Sequence, residues 1–456
     1  MKKIKTDICV IGAGSGGLSV AAGAVQMGAR VVLIEAGEMG GDCLNSGCVP
    51  SKALLHAAAR GKGYAEAMAH VRATIATIAP HDSQERFEGL GCTVIREYAR
   101  FVSPKVVETD KYRIKARRFV VATGSRPMVP PIEGLKEVPY LTNETIWTLD
   151  RRPDHLVILG GGPIGMEMAQ AHRRLGCEVT VVEAAQVLGR DDPDAVALVK
   201  ARLADEGVRI FEGVAATGVS HEAGRITVEL DDGQHVSGTH LLVATGRVAN
   251  ADELNLDKAE VDRTRTGIKV DTRLRTSNRR VYAIGDVTGG LQFTHVAGYQ
   301  AGVIIRSLLL GLPAKAATHH IPRATYTSPE LAQIGLTEAE ARETHGDKLE
   351  VVRAEIAGND RAIATERAGA GFVKVMVLKG RPVGVTIVGP DAGELISFWA
   401  LAVANRLKMS QIAGMVAPYP TLMEVNKRAA GAYFTPRLFE NPKLKLAVKL
   451  IQRLLP

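Results

Sequence analysis

Apolar residues in this chain fall into short blocks, each stopped by a glycine or an acid, with helical stretches between them. Ile8-Cys9-Val10-Ile11 runs into Gly12, and Val31-Val32-Leu33-Ile34 runs into Glu35. Leu156 to Leu159 runs into Gly160, Val179 to Val182 into Glu183, and Val281-Tyr282-Ala283-Ile284 into Gly285. Apolar runs of this length, bounded by turn residues, predict strands. The run Ala53, Leu54, Leu55, Ala57 and Ala58 reads as helix. Strands alternating with helices predict an α/β fold. From about residue 323 the character changes: strand-like runs (Phe372 to Leu378, Pro382 to Val388) alternate with a helical one (Gly393 to Arg406), which predicts a separate α+β domain. The expected division is 1–150, 151–272, a central segment 273–322, and 323–456.

One architecture occurs twice. The first strand feeds Gly12-Ala13-Gly14-Ser15-Gly16-Gly17 and a helix; the later copy feeds Gly160-Gly161-Gly162-Pro163-Ile164-Gly165. The same interval separates Gly12 from Glu35 and Gly160 from Glu183. In such a fingerprint the first glycine (Gly12, Gly160) makes the tight turn. The second (Gly14, Gly162) lets backbone approach a pyrophosphate, and the third (Gly17, Gly165) allows close helix–strand packing. The phosphates sit at the positive end of the helix, and the acid binds a ribose hydroxyl. One fingerprint is a weak signal; two with strand, helix and acid at matching distance predict two Rossmann-like dinucleotide-binding domains. Val121-Ala122-Thr123-Gly124-Ser125-Arg126-Pro127 closes the first unit, and Val243-Ala244-Thr245-Gly246-Arg247 closes the second. The first unit is the longer by about the size of one extra segment, which reads as an insertion.

That segment holds Cys43-Leu-Asn-Ser-Gly-Cys48, followed by Val49-Pro50-Ser51-Lys52 and the helical run. A helix N-terminus stabilises thiolate, the nucleophile of thiol–disulfide exchange, so the pair reads as a redox-active dithiol. Zinc would want four ligands, and His56, the nearest histidine, lies well down the helix; no metal site is expected.

The bulk numbers narrow the field. A chain of 456 residues should hold three or four domains, and 46% hydrophobic with 23% charged residues is ordinary for a globular protein. Five cysteines are too few for a secreted disulfide scaffold, and Cys9, Cys92 and Cys177 beside apolar runs read as inert core residues. The lysines at 2, 3 and 5 precede an apolar run too short for a signal peptide, and no run reaches transmembrane length, so a cytoplasmic location is expected. The net charge of +8 favours anionic ligands, but with only 4% aromatics and no basic run interleaved with them, nucleic acid is not an expected partner.

Together the Cys43/Cys48 motif, both fingerprints, both Ala-Thr-Gly signatures, Gly285-Asp286 and Thr327-Ser328-Pro329-Glu330 resemble the pyridine nucleotide-disulfide oxidoreductases, over essentially the whole chain. The resemblance implies FAD on Gly12, Gly14, Gly17 and Glu35, with Thr123, Gly124 and Ser125 along it and Asp286 at its ribityl–phosphate region. Lys52 would approach the flavin and pair with Glu167. NAD(P)H would lie on Gly160, Gly162, Ile164, Gly165, Glu183 and Gly246. Hydride would pass from NAD(P)H to the flavin and on to the Cys43–Cys48 disulfide, with Cys48 facing the flavin and Cys43 attacking a small-molecule or protein-bound disulfide or thiol substrate. The α+β domain would form a homodimer, its last segment completing the partner's site.

Three features set this chain apart. The family's His-Pro-Thr-Leu-x-Glu stretch is Tyr419-Pro420-Thr421-Leu422-Met423-Glu424 here. A tyrosine titrates near 10 when unperturbed and is a poor base at neutral pH; it can donate a hydrogen bond, with Glu424 to orient it. Mercuric reductase resembles the chain in carrying tyrosine here, yet it delivers metal through a C-terminal cysteine pair, whereas the last cysteine here is Cys177. Second, Asn441 to Pro456 drawn as a helix gathers Leu444, Ala447, Val448, Ile451, Leu454 and Leu455 on one face and Lys445, Lys449, Gln452 and Arg453 on the other. This face either packs on the protein's own surface or makes peripheral contact with an anionic membrane, as in a membrane-associated flavoprotein passing electrons to a quinone or protein. Third, Glu183 favours NADH over NADPH, since a 2′-phosphate would meet like charge there; Arg190 is the candidate to offset it.

Overall fold

The apolar blocks become the parallel strands of two sheets in the computed structural model, which describes residues 1–455. In the first sheet Lys2–Ile11 is central, with Val31–Ile34 and then Thr93–Ile95 on one side and Tyr112–Val121 on the other. Val281–Ala283 pairs parallel with Phe119–Val121 and extends this sheet, so a strand from the central segment completes the first fold. Cys9 stands level with Val32 on one neighbour and Phe119 on the other. The second sheet, parallel throughout, runs Arg209–Glu212, Glu178–Glu183, His155–Leu159, His240–Val243, Tyr140–Leu141. Ile8, Val10, Leu33 and Val120 pack under the first glycine loop, and Val157, Leu159, Val182 and Leu241 pack in the second fold, all buried.

Between the second and third strands of the first fold lie the helices Gly41–Asn45, Cys48–Ala59, Tyr64–Ile78 and Gln84–Gly89. The corresponding crossover of the second fold holds one helix, Pro193–Asp205. The dithiol segment is thus an insertion, as its length implies.

The chain divides into two compact units: 1–186 with 207–317, and 187–206 with 318 onward. The helix Pro193–Asp205 therefore belongs with the last domain, whereas the sequence division kept 151–272 whole. The reason is a buried cation. Lys374 on the strand Phe372–Leu378 is nearly inaccessible, and its Nζ meets Asp192 at 3.0 Å, Asp194 at 2.7 Å and Glu338 at 3.0 Å. A buried ammonium needs such partners, and the Asp192 and Asp194 pair sits at the start of that helix. The unit's sheet, ordered Pro322–Thr325, Glu330–Gly335, Arg381–Gly389, Phe372–Leu378, Leu349–Glu355, is antiparallel and is covered by Ala392–Ala404 and Glu424–Ala432. This is the expected α+β domain.

The tail is helical from Pro442 to Leu454, capped by the Asn441 side chain accepting from the Lys443 and Leu444 amides. All of 441–455 is exposed, so its apolar face does not pack on the chain's own surface. Among the described residues no helix is long and apolar enough to cross a membrane.

Candidate active site

The two glycine loops are built alike. A Cβ on Gly12 would meet the Ala122 carbonyl oxygen at 2.3 Å, and one on Gly160 the Ala244 oxygen at 2.4 Å. A Cβ on Gly17 would lie 1.8 Å from the Gly12 oxygen, and one on Gly165 2.0 Å from the Gly160 oxygen. The middle glycines differ: a Cβ on Gly162 would meet nothing within 4 Å, and on Gly14 only Gly41 at 3.9 Å. The outer glycines are thus required by the fold, while the middle ones leave backbone open where a pyrophosphate would approach at a helix N-terminus. Each acid braces its loop: Glu35 accepts from the Ala13 amide at 2.6 Å and Gly37 at 2.7 Å, Glu183 from Gly161 at 2.7 Å and Ala185 at 2.8 Å. Both loops fit a dinucleotide. Ile164, on the first turn of the second fingerprint helix, is exposed.

The two Ala-Thr-Gly signatures meet each other. Ser125–Pro127 and Arg247–Ala249 form an antiparallel ribbon, and the Thr123 hydroxyl donates to the Asn250 carbonyl at 2.7 Å. Gly124 adopts φ 67° and Gly246 φ 147°, turning the chain into that ribbon. The Ser125 hydroxyl donates to Asp286 at 2.6 Å. Burial raises the Asp286 carboxyl above its usual range, with Ser125 and Arg247 opposing.

The dithiol segment lies against the first loop: the Gly40 amide donates to the Ala13 carbonyl at 3.0 Å, and a Cβ on Gly41 would come within 2.8 Å of the Gly14 Cα. Cys48 opens the helix Cys48–Ala59, as its sequence position predicts. Its thiol is lowered to about 6, first by the hydrogen bond from Cys43, against burial, with help from Thr294 and the Lys52 charge. Cys43 is pushed far up, first by that same bond and then by burial. The two directions favour the proton on Cys43 and the negative charge on Cys48. Lys52 Nζ, one turn on, is 2.7 Å from Glu167 Oε2 on the second fingerprint helix, Pro163–Arg174; Glu167 is only 5% exposed and Lys52 37%. By contrast, burial raises the thiols of Cys9, Cys92 (to about 11) and Cys177 (to about 12). Among the described residues no group of three or more His, Cys, Asp or Glu side chains has the arrangement of a metal site.

Three contacts were not legible beforehand. Thr294, which opens the helix Thr294–Leu308, brings its hydroxyl to 3.4 Å from Cys48 Sγ; nothing at that distance along the chain marks it. Arg247 directly follows the second signature and binds the Ser125 hydroxyl at 2.7 Å and the Asp42 carboxylate at 3.3 Å; its place after Gly246 was the available signal. In the second unit, Tyr419 is 71% exposed and donates to Asp360 at 2.8 Å, while Arg428 reaches the other Asp360 oxygen at 3.4 Å. Glu424 instead accepts from the Thr421 amide at 3.4 Å, capping its own turn, so the partner expected for Tyr419 is replaced by Asp360. The Asp360 carboxylate raises the phenol further above its ordinary value.

Comparison with known proteins agrees with this geometry. Residues 6–301 match the pyridine nucleotide-disulphide oxidoreductase family, and 321–430 match that family's dimerisation domain. The chain is 34% identical over 448 residues to the mercuric reductase of Lysinibacillus sphaericus, covering 93% of this chain and 82% of that one. It is 33% identical to that of Bacillus cereus, covering 93% and 70%. Among solved structures, a Cu(II) complex of the HOCl-induced flavoprotein disulfide reductase RclA from Escherichia coli superposes with TM-score 0.88 at 27% identity, over 94% of this chain and 99% of that one. LpdA from Mycobacterium tuberculosis gives 0.87 at 26% identity, over 94% and 99%. None of these lends support to a membrane-docked electron carrier. With its glycine loops, dithiol and dimerisation domain all in place, the chain belongs to the pyridine nucleotide-disulphide oxidoreductases, as a homodimeric FAD-dependent disulfide oxidoreductase that draws on a pyridine nucleotide.

Proposed function

We propose that the enzyme uses NADH to reduce a disulfide or thiol-bound substrate at the Cys43–Cys48 pair. The observation that carries this is the geometry of the pair: Cys48 opens a helix with the Thr294 hydroxyl at 3.4 Å and Lys52 on Glu167 one turn away, a setting that lowers its thiol while that of Cys43 is raised. The first glycine loop, with Gly12, Gly14, Gly17 and Glu35, would hold FAD, which when bound would carry two electrons from the nicotinamide to the disulfide. Cys43, passing its proton to the adjacent Cys48 thiolate, attacks one sulfur of the substrate disulfide; a mixed disulfide forms, and the first product leaves by taking that proton back from Cys48, which is again thiolate. Cys48 then attacks Cys43, re-forming the Cys43–Cys48 disulfide and releasing the second product as thiolate, which solvent protonates. Two electrons from NADH restore the dithiol. Lys52 places positive charge beside Cys48, and Glu167 fixes where that ammonium stands. Tyr419, with its proton on Asp360, suits hydrogen-bond donation and not base catalysis.

The mercuric reductase relatives and the Cu(II) complex of RclA support thiolate-bound metal ions as further substrates. Anaerobic NADH should produce a thiolate-to-flavin charge-transfer band in the wild type and none in Cys48→Ser; identical spectra would end the proposal. A turnover panel of lipoamide, glutathione disulfide, a small aromatic disulfide, Hg(II) and quinones then ranks substrates.

The nicotinamide preference rests on Glu183, whose carboxylate stands at the end of its strand. Arg190 is fixed through its carbonyl, which accepts from Arg323 at 2.6 Å. A second reading, favoured by the exposed tail helix with Lys443, Lys445, Lys449 and Arg453 and no acid after Glu440, is peripheral contact with anionic lipid. Equal binding to anionic vesicles by the full chain and by one ending at Glu440 would remove it.

A further inference from the structure

The residue before Cys43 is a carboxylate with three side-chain partners. Asp42 Oδ1 accepts from the Ser46 hydroxyl at 3.0 Å and the Asn143 amide at 3.0 Å, and Oδ2 pairs with Arg247 at 3.3 Å. Trp147 Nε1 closes the far side by donating to the carbonyls of Ser46 at 3.0 Å and Asn143 at 2.6 Å. The arrangement is tight, since a Cβ on Gly47 would lie 2.8 Å from Asp42 Oδ2. Arg247 is itself 11% exposed, against 37% for Asp42, and stands 3.9 Å from Asp286. Its charge also bears on Glu144, so one guanidinium serves three carboxylates and does not cancel Asp42 alone.

We propose that Asp42, clamped by Arg247, Asn143 and Ser46, is a positioning residue that confines the negative charge of the reduced dithiol to Cys48. This rests on reading Cys43 and Cys48 as the redox pair. The charges around the two sulfurs are polarised end to end. Ionisation of Cys43 is opposed first by its hydrogen bond with Cys48 and by burial, Thr294 favours it, and the carboxylate of the adjoining Asp42 adds to the opposition. Cys48 is faced by Cys43, Thr294, Glu167 and the Lys52 ammonium, which favours its ionisation. A carboxylate at one end and an ammonium at the other push the single charge toward Cys48. The clamp matters because a free aspartate with this much exposure would turn into solvent, where its field is weak.

The test is alkylation of the fully reduced, full-length protein by iodoacetamide across pH, with Cys43 and Cys48 resolved by mass spectrometry. Thiolate fraction sets the rate. Asp42→Asn keeps the shape and removes the charge, and should raise the Cys43:Cys48 ratio at neutral pH about threefold, half a pKa unit. Asp42→Glu should restore the wild-type ratio in part. Asn143→Ala, which loosens the clamp without changing any charge, should raise the ratio in the same direction as Asp42→Asn, and decides the matter if Asp42→Asn does not fold. A ratio unmoved in Asp42→Asn, or equal in the Asn and Glu variants, overturns the proposal. The redox reading is judged separately, by whether a mild disulfide oxidant joins Cys43 to Cys48 in the wild type; if it does not, that reading fails while the ratio still judges Asp42.

Discussion

The two nucleotide folds share one frame and differ in what their crossovers hold. Contacts forced by Gly12 and Gly17 recur at Gly160 and Gly165 within 0.2 Å, and Glu35 and Glu183 each tie two backbone amides around their loops. Between second and third strands, however, one fold carries the dithiol and its helices, and the other a single helix that belongs to a different unit. The frame is a matter of backbone sterics, which tolerate almost no substitution. The crossover is free of that constraint, and the dithiol sits there, against the loop that would hold the flavin.

The sharpest way to break the likeness is at the third glycines. Gly17→Ala and Gly165→Ala each force a Cβ into a carbonyl oxygen. We expect Gly17→Ala to lose bound flavin, read by visible absorbance, and Gly165→Ala to keep its flavin while the KM for NADH rises at least about tenfold. Flavin loss from both would mean that the folds are not separable.

The contrast between crossover and frame sharpens in the thiols. Cys48 at about 6 is largely thiolate at pH 7, whereas Cys177 at about 12 is almost wholly protonated. Alkylation of Cys48 at pH 7 should exceed that of Cys177 by at least about a hundredfold. Stability follows the same shift. Because the folded value of Cys48 lies below the unfolded one, near 8.5, the native state binds fewer protons between those values. The reduced protein should therefore gain stability relative to Cys48→Ser as pH rises from about 6 to about 8.5, and the raised Cys43 reverses the trend above that.

Lys52 and Glu167 join the two folds. Lys52→Met removes the cation from a carboxylate that is 5% exposed, and should cost about 1–3 kcal/mol in denaturant unfolding and raise the titration midpoint of Cys48. Lys52→Arg should recover most of the stability. The smallest expected effect is at the second acid: the wild type should prefer NADH by at least about fivefold in kcat/KM, and Glu183→Ala should narrow that gap while Glu35→Ala leaves it unchanged. A wild-type preference for NADPH would transfer the role to Arg190.

Strands, both glycine loops and the dithiol at a helix start were legible in the residues, because each rests on short-range sterics or on a fixed offset within a repeated motif; the Lys52–Glu167 pair, 115 residues apart, came only from the resemblance to the family. Cys9, Cys92 and Cys177 were legible as core because apolar runs surround them. The partner of Tyr419 was not: Glu424 is close in sequence, but the chain turns so that the phenol meets Asp360, fifty-nine residues earlier. The sequence by itself determined two glycine-loop frames, a dithiol at a helix start and an α+β last domain, since glycine sterics and strand–helix alternation act locally. Only the tertiary structure decided that Thr294 reaches Cys48, that Arg247 clamps Asp42, and that the helix 193–205 follows Lys374 into the last unit. Hydrogen bonds and buried charges choose their partners by distance in space, and the order of residues along the chain does not encode that distance.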